Sequence, residues 1–564
     1  MSKANSNTSG SERVWWICLL TATALNCGFQ IGWFWRFRAR EITMDGIAYI
    51  GLARHIVDGN FKASLHGYWS PLTSWIIAAA AIGSKNFTLL GRWVTIGSFL
   101  LCLPLLYVLV LKLWHSRIAA ALAVFWFSTA RGILALAVGM ILADFVLTAC
   151  VLLYFIFLLE ALCRNRSSAW MLLGTAHALA FLAKAIAMPW LTIATLLAVL
   201  ARNVRSPRRM AASLALAFIF PAIVWVSWGA TLRSKYGVFT TGYQLRANLR
   251  TNWNRRLNHR TLGDDLTFAD TSSIYDDYMV GDTSWSNLRN FSLPTAQLLP
   301  LIGDAEFHNI PRALKETLIL LTPGGALSLP LMFVLLVQNR RRYGVEVQFV
   351  CIALLSALAL IVAYCMLVFD GRYVIPVLPL LIAIGCPLLL PADKAGGAPP
   401  VPAWTWKVLL SLLVASTVFF ALYWASPFRT VDRDFEASCY EAADALRSQQ
   451  PRGTLVSIGD GPYPEQGVGF EAGVYVSYLA GWRLIGMNSG LPDSSAQANE
   501  LAGKVLSSRS DAAVVWGSPA DRMYEHIVDE LEHAKGSASC RKLVDPSKGE
   551  VGTVIQFVHS GSGI

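Results

Sequence analysis

Charge is scarce along this chain of 564 residues: 15% are charged, 55% are hydrophobic, and the mean hydropathy is +0.47. Soluble domains carry charge on about a quarter of their residues, so a purely soluble chain is excluded. Also missing are any Cys-x-x-Cys or Cys/His spacing suited to a metal, any internal repeat and any long low-complexity tract. Eight of the ten cysteines lie in or beside apolar runs, where cysteine behaves as a small buried hydrophobe. The other two, Cys439 and Cys540, lie in a polar C-terminal region and are candidates to pair in an oxidising compartment.

What is abundant is long apolar sequence. A bilayer satisfies no backbone polar groups, so a span needs about 20 mainly apolar residues that satisfy their own. About eleven spans are expected, roughly at 14–35, 88–111, 118–135, 142–161, 169–184, 186–201, 210–230, 316–337, 346–368, 373–390 and 407–424. The first is too long for a signal-peptide core and has no clear small-residue cleavage site, so it reads as retained. The net charge of +11 is concentrated at Lys112–Arg117, Arg164–Arg166, Arg202–Arg209 and Arg340–Arg342, each at the end of an apolar run. Every second loop is thus basic, the positive-inside pattern. No basic face is left over for nucleic acid.

This pattern predicts a multi-pass protein of the inner (plasma) membrane with a cytoplasmic N-terminus. The expected fold class is an α-helical polytopic membrane domain over 1–425, including extracytoplasmic loops 36–87 and 231–315, followed by an extracytoplasmic α/β domain over 426–564. From Asp432 onward the chain carries about 18 acidic and 11 basic residues, and strand-like runs alternate with helix-like ones. The strands are expected at Thr454–Ile458, Arg483–Gly486, Ala512–Trp516 and Thr553–Val558. The helices are expected at Phe435–Arg447, Ala496–Val505 and Pro519–His533.

Few ionisable groups interrupt the apolar sequence, and each is a candidate for chemistry. Asp45 stands near the start of segment 43–57, where Ile47, Ile50, Ala53 and Ile56–Val57 recur at helical spacing. That is an amphipathic helix expected to lie with one face in the membrane interface. Its acid is either a general base for an acceptor's proton or, with Thr43, a helix cap. Asp144 opens a span that has no other acid until Glu160, and an ionisable group at membrane depth is paired or functional. Arg131, near the end of the preceding span, is its expected partner and a further candidate phosphate-binding cation. Lys184 is a lone cation in Ala180–Ile186, suited either to snorkelling or to neutralising a phosphate. In Asp370-Gly371-Arg372-Tyr373-Val374-Ile375-Pro376-Val377-Leu378-Pro379, the arginine is placed to clamp a phosphate as it departs. The two prolines would free backbone groups towards a cavity. Loop 231–315 adds Arg246, Arg250, Arg255, Arg256 and Arg260, with Asp264–Asp265 and Asp276–Asp277. These aspartates lack a defined ligand spacing, so no cofactor is assured and a divalent cation stays open. No residue is assigned as a metal ligand.

Taken together, these residues resemble the GT-C superfamily of polytopic membrane glycosyltransferases, on the protein O-mannosyltransferase and aminoarabinose-transferase-like branch. The resemblance rests on Asp45-Gly46-Ile47-Ala48-Tyr49, on Tyr68-Trp69-Ser70-Pro71-Leu72, on Asp144 opening the fourth span, on a partial match at Lys184, and on Arg372-Tyr373-x-x-Pro376-x-x-Pro379. It covers about residues 40–390 and leaves the C-terminal region unmatched. It implies an extracytoplasmic active site that takes sugar from a polyprenyl-phosphate carrier. By the same resemblance Asp45 and Asp144 are catalytic, and Lys184 and Arg372 face the donor phosphate, to which Arg131 is added as a candidate from its place beside Asp144. Tyr49, Tyr68, Trp69 and Tyr373 are substrate-binding. A single acid at 45, where the family pattern has a pair, weakens the case for a metal-dependent mechanism and for a close tie to the mannosyltransferases.

The expected activity is therefore an inverting transfer of a hexosyl or pentosyl unit to an acceptor in the bacterial cell envelope. The partners are a polyprenyl-phosphate sugar, membrane lipid and an acceptor glycan, lipid or protein; no nucleic acid is expected. A transporter or flippase of lipid-linked substrates is the alternative, although inverted repeats and charges deep within spans are not evident. A non-catalytic envelope scaffold is a third reading.

Overall fold

The computed structural model describes residues 10–38, 43–84, 86–130, 132–246, 248–249, 267–268, 295–339, 341, 344–366, 370–391, 402–425, 433–449, 452–459, 469–488, 491–492, 494–508, 510–534, 539–545 and 549–557. The chain divides into two compact units. One comprises Met1–Ala39, Leu65–Gly242 and Pro294–Pro427; the other comprises Arg40–Ser64, Tyr243–Leu293 and Phe428–Ile564. The segment bearing Asp45 thus clusters with the C-terminal region.

The first unit is helical. It contains α1 (Gly10–Arg38) and, from the second unit's intervening segment onward in chain order, α4 (Pro71–Ala80), α5 (Phe87–Trp114), α6 (Arg117–Thr129), α7 (Ile133–Gly139), α8 (Ala143–Arg164), α9 (Ser167–Ala183), α10 (Ala187–Asn203) and α11 (Pro207–Tyr236). It continues with α12 (Thr295–Gln338), α13 (Gly344–Cys365), α14 (Leu378–Gly385) and α15 (Ala403–Ala425). Its centre is α8, whose most apolar stretch is 83% buried against 11% for that of α1. α8 packs between α5 and α9, and α9 meets α11 so closely that a Cβ on Gly174 would lie 2.4 Å from the Ala217 carbonyl oxygen. Three buried aromatics satisfy their polar atoms across long sequence separations. Trp114 Nε1 donates to Ala383 O at 2.7 Å, Trp190 Nε1 to Ser356 O at 2.7 Å, and the Tyr154 hydroxyl to Leu191 O at 3.1 Å.

The sequence leads to an expectation of eleven spans; among the described residues five helices are long and apolar enough to cross a membrane, or seven if each bent pair is one span. The difference is one of length. α9 and α10 have 17 residues each, about 26 Å at 1.5 Å per residue, short of a hydrocarbon core of about 30 Å. The expected span at 118–135 is α6 and α7 meeting at 57°. α12 starts inside the expected loop 231–315 and bends by 90° between Leu321 and Ala326. The expected span at 373–390 is the 3-10 turn Gly371–Val374 followed by the eight-residue α14, because Pro376 and Pro379 supply no N–H to a longer helix.

The second unit is α/β. It contains α2 (Met44–Val57), α3 (Phe61–Ser64) and a sheet of β1 (Thr267–Phe268), β2 (Thr454–Ile458), β3 (Arg483–Asn488), β4 (Ala512–Trp516), β5 (Ser539–Asp545) and β6 (Gly549–Gln556). Its helices are α16 (Arg433–Gln449), α17 (Gly469–Ala480), α18 (Ser495–Ser507) and α19 (Arg522–Ala534). The strand order is β1-β3-β2-β4-β6-β5, with β3, β2 and β4 parallel and the outer pairs antiparallel. Val456 and Ile458 of β2 and Ala513 and Val515 of β4 share a core with Ile527 and Leu531 of α19. Cys439 is buried, Cys540 is exposed, and both are thiols.

Candidate active site

In the second unit, α2 carries Asp45. Thr43 is the cap: its extended backbone lets the side-chain oxygen accept from Gly46 N–H at 3.1 Å. Asp45 sits at the second helical position, half-buried, where the positive end of the helix dipole favours a carboxylate. The spacing of its apolar residues predicts a polar face. Instead every residue from Gly46 to Ala53 is buried, with Tyr49 only 3% exposed, so α2 is enclosed rather than laid along a surface. Its small residues (Gly46, Ala48, Gly51, Ala53) leave little side chain to keep neighbours away. Towards its C-terminus, the Arg54 guanidinium lies 5.5 Å from the Tyr478 ring centroid.

In the first unit, Tyr68 and Trp69 belong to a tight turn that starts α4. His66 is 4% exposed, and its Nδ1 accepts from the N–H groups of Tyr68 (3.1 Å) and Trp69 (3.3 Å). Ser70 is the N-cap residue and Pro71 takes the first helical position, where its missing N–H costs nothing. The Gly67 N–H donates to the Tyr236 hydroxyl at 3.2 Å, and Lys235 Nζ donates to Leu65 O at 2.9 Å. The motif therefore fastens this turn to the end of α11, with Trp69 buried and Tyr68 half-buried.

The first unit also brings four distant segments to one place. Asp144, in the first turn of α8, is 2% exposed. Lys184 follows the last turn of α9 in an extended conformation (φ −155°, ψ 128°), which turns its side chain out of the α9 helical path. Lys184 Nζ donates to Asp144 Oδ1 at 2.7 Å. Two tyrosines complete the wall: Tyr364 of α13 and Tyr373 of the 3-10 turn stack with centroids 4.1 Å apart and planes 13° from parallel. The ammonium lies 4.7 Å from the Tyr373 centroid and 5.7 Å from that of Tyr364, within cation–π range.

Arg372 also approaches this wall, 5.5 Å from the Tyr373 centroid. Asp370 caps the turn by accepting the Arg372 backbone N–H at 3.1 Å, and its Oδ2 lies 3.2 Å from Arg372 Nε. That side-chain approach is off the hydrogen-bonding direction, so it counts as an ion contact. The exposures differ between the two ion pairs: Asp370 is 51% exposed and Asp144 only 2%. A Cβ on Gly371 would come 3.4 Å from Glu316 Oε2, so a carboxylate of α12 flanks the turn.

The expected partner of Asp144, Arg131, lies outside the described residues, and Lys184 takes that place. Of the loop groups, Arg246 is described; Arg250, Arg255, Arg256, Arg260 and both aspartate pairs lie outside the described residues. Among the described residues no group of three or more His, Cys, Asp and Glu side chains is arranged to hold a metal.

Two solved structures of ArnT from Cupriavidus metallidurans, one apo and one bound to undecaprenyl phosphate, each superpose on this chain with a TM-score of 0.53 at 15% identity. They cover 96% and 97% of this chain and 98% of theirs. The chain has a GT-C-like fold. A looser likeness, with a TM-score of 0.49 at 14% identity over 99% of this chain and 75% of the other, extends to the archaeal oligosaccharyltransferase AglB from Archaeoglobus fulgidus in complex with an inhibitory peptide and a dolichol-phosphate. No protein-family model matches the chain, and no curated protein matches it.

Within this GT-C-like fold, Tyr364 and Glu316 are candidate site residues that sequence reasoning passed over. Tyr364 carried a weak signal, as a hydroxyl-bearing ring near the end of an apolar span a few positions before Asp370–Tyr373. Glu316 carried none, because it opens what read as a span and only the fold sets it against Gly371.

Proposed function

We propose that the protein is a membrane glycosyltransferase that moves a sugar from a polyprenyl-phosphate-linked donor to an acceptor on the extracytoplasmic face. The observation that carries this reading is the convergence of Lys184, Asp144, Tyr364, Tyr373 and Arg372 in one wall of a GT-C-like helical unit. The ArnT structure that holds undecaprenyl phosphate supports the donor class, and so does the sequence resemblance. In this reading the acceptor oxygen attacks the anomeric carbon while Asp45, the base that the sequence resemblance implies, takes its proton. The bond from that carbon to the phosphate oxygen breaks, and polyprenyl phosphate leaves with the electron pair through an oxocarbenium-like transition state. Attack opposite the leaving group inverts the anomeric centre.

The two cations have different parts in the proposed site. Both rest against carboxylates, which compete with an incoming phosphate for them. Asp370 can swing into water at little cost, whereas Asp144 would be stranded in the interior. Arg372 is therefore the cation that exchanges its partner for the phosphate, and Lys184, held by Asp144, contributes a fixed positive potential beside it. Asp144 acts through Lys184 as a positioning residue.

The test is release of free polyprenyl phosphate from a panel of polyprenyl-phosphate sugars by the purified protein. Asp45→Asn is expected to lower the rate by about 10²–10⁴-fold, the usual worth of a general base. Full turnover by a folded Asp45→Asn enzyme would remove the base. No release from any donor by folded, lipid-binding protein would bring forward the transporter or flippase reading.

A further inference from the structure

Within the α/β unit, α17 packs on β2, β3 and α16, and every residue from Ala472 to Tyr478 is buried. A helix laid on a sheet ordinarily keeps one side to solvent, so α17 is covered on both sides. At about 100° per residue, Ala472, Val476 and Ala480 share one side, and Val474 and Tyr478 lie on the other. α2 is among the elements that cover this helix. The Arg54 guanidinium stands 5.5 Å from the Tyr478 ring centroid, within cation–π range, and Tyr478 is 8% exposed.

The same period divides α2. Arg54 follows Asp45 by nine residues, or two and a half turns of about 3.6, so the two side chains stand on opposite sides of the helix. Ile47, Ile50 and Gly51 fall on the Arg54 side, and Tyr49 and Leu52 on the Asp45 side. The side that meets α17 is therefore the back of the helix that carries the acid. Since side chains stand about 5–6 Å from a helix axis, a roll of about 20° would carry the Asp45 carboxyl about 2 Å. A general base acts only within about 2.6–3.2 Å of the group whose proton it takes. Thr43 does not fix the roll, because its cap is internal to α2.

We infer that α17 is the mount of α2, and that Arg54 and Tyr478 are positioning residues that set Asp45 from the opposite side of its helix. The inference rests on the reading of Asp45 as the base, and it deepens that reading by giving the C-terminal region a part in the transfer.

Hydrogen exchange and turnover, read on the same full-length protein in detergent, test its two halves separately. Tyr478→Leu removes the ring and keeps an apolar side chain; Arg54→Ala removes the cation, and Arg54→Lys keeps one. In Tyr478→Leu and Arg54→Ala, exchange of the α2 amides is expected to quicken about five-fold, the worth of one cation–π contact. Wild-type protection of β2 and β4 in the same samples would report an intact fold. With a donor that turns over, kcat for release of polyprenyl phosphate should fall about tenfold. The KM for donor should stay unchanged, because in the proposed site residues of the helical unit hold its phosphate. Arg54→Lys should restore much of both losses. The double variant should be no slower than either single one, since each removes the same contact. Unchanged exchange in α2 would overturn the mount, whatever the turnover. Faster exchange with wild-type kcat, or losses that multiply in the double variant, would overturn the positioning of Asp45. A wild type that releases nothing from any donor would overturn the proposed activity and with it the part of the mount in transfer, while exchange would still decide whether α17 holds α2.

Discussion

Asp144 and Lys184 are withdrawn from solvent together, and neither is stable in that setting alone. Removing one member of a buried ion pair leaves an uncompensated charge and costs about 3–5 kcal/mol, whereas replacing both with apolar residues of similar size is often close to neutral. Asp144→Leu and Lys184→Met should therefore each lower the unfolding temperature in detergent. The double variant should recover much of that loss while remaining unable to turn over donor. Additive losses in the double variant would mean that the two side chains are not coupled in the folded protein. Asp144, Lys184, Arg372 and Tyr373, unlike Tyr364, were legible one by one, since each is a polar exception in apolar sequence. Their partnership was not. Nothing along the chain says that Asp144 meets Lys184 40 positions later rather than Arg131, because that depends on how closely α8 and α9 pack.

At the scale of the element, a cation also settles how α7 ends. Arg92 of α5 is 2% exposed, and its Nη1 donates to Val138 O at 2.9 Å and to Gly139 O at 3.0 Å, the carbonyls at the C-terminus of α7. A helix end leaves such carbonyls without intrahelical donors, and burial makes them costly. Arg92→Leu should destabilise the protein by about 2–5 kcal/mol, and Arg92→Lys by less, in chemical or thermal unfolding. Equal stability of Arg92→Leu and wild type would show that water reaches these carbonyls. The separate existence of α7 was not legible, because a bend changes neither the apolar content nor the period of 118–135. In the α/β unit, β2 and β4 were legible over their full lengths, as continuous apolar runs of a parallel sheet. β5 was not, because Arg541 and Lys542 interrupt it. Such residues are typical of an edge strand, and β5 is at the sheet's edge.

For the whole molecule, the proposed orientation rests on which loops are basic, and two exposed cysteines can report it. Cys163 ends α8 beside Arg164, and Cys540 lies in β5. With the proposed orientation, a membrane-impermeant maleimide added to intact cells should modify Cys540 and spare Cys163, in variants that keep one of the two; the opposite pattern would invert the topology. Burial pushes the Cys540 thiol up to about 11, so fewer thiolates are present at neutral pH than at an ordinary cysteine. Its labelling rate should rise about tenfold per pH unit up to that value, and a plateau near pH 9 would contradict the raised thiol. The Lys184–Asp144 pair has a further consequence, for biogenesis. An isolated charge costs about 2.5–3.5 kcal/mol at the centre of an inserting helix and less towards its ends, where Asp144 and Lys184 lie. α8 carries one sign and the end of α9 the other, joined by a turn of two residues. Entering the bilayer as a hairpin, the two helices bring no net charge to that depth; entering singly, each would.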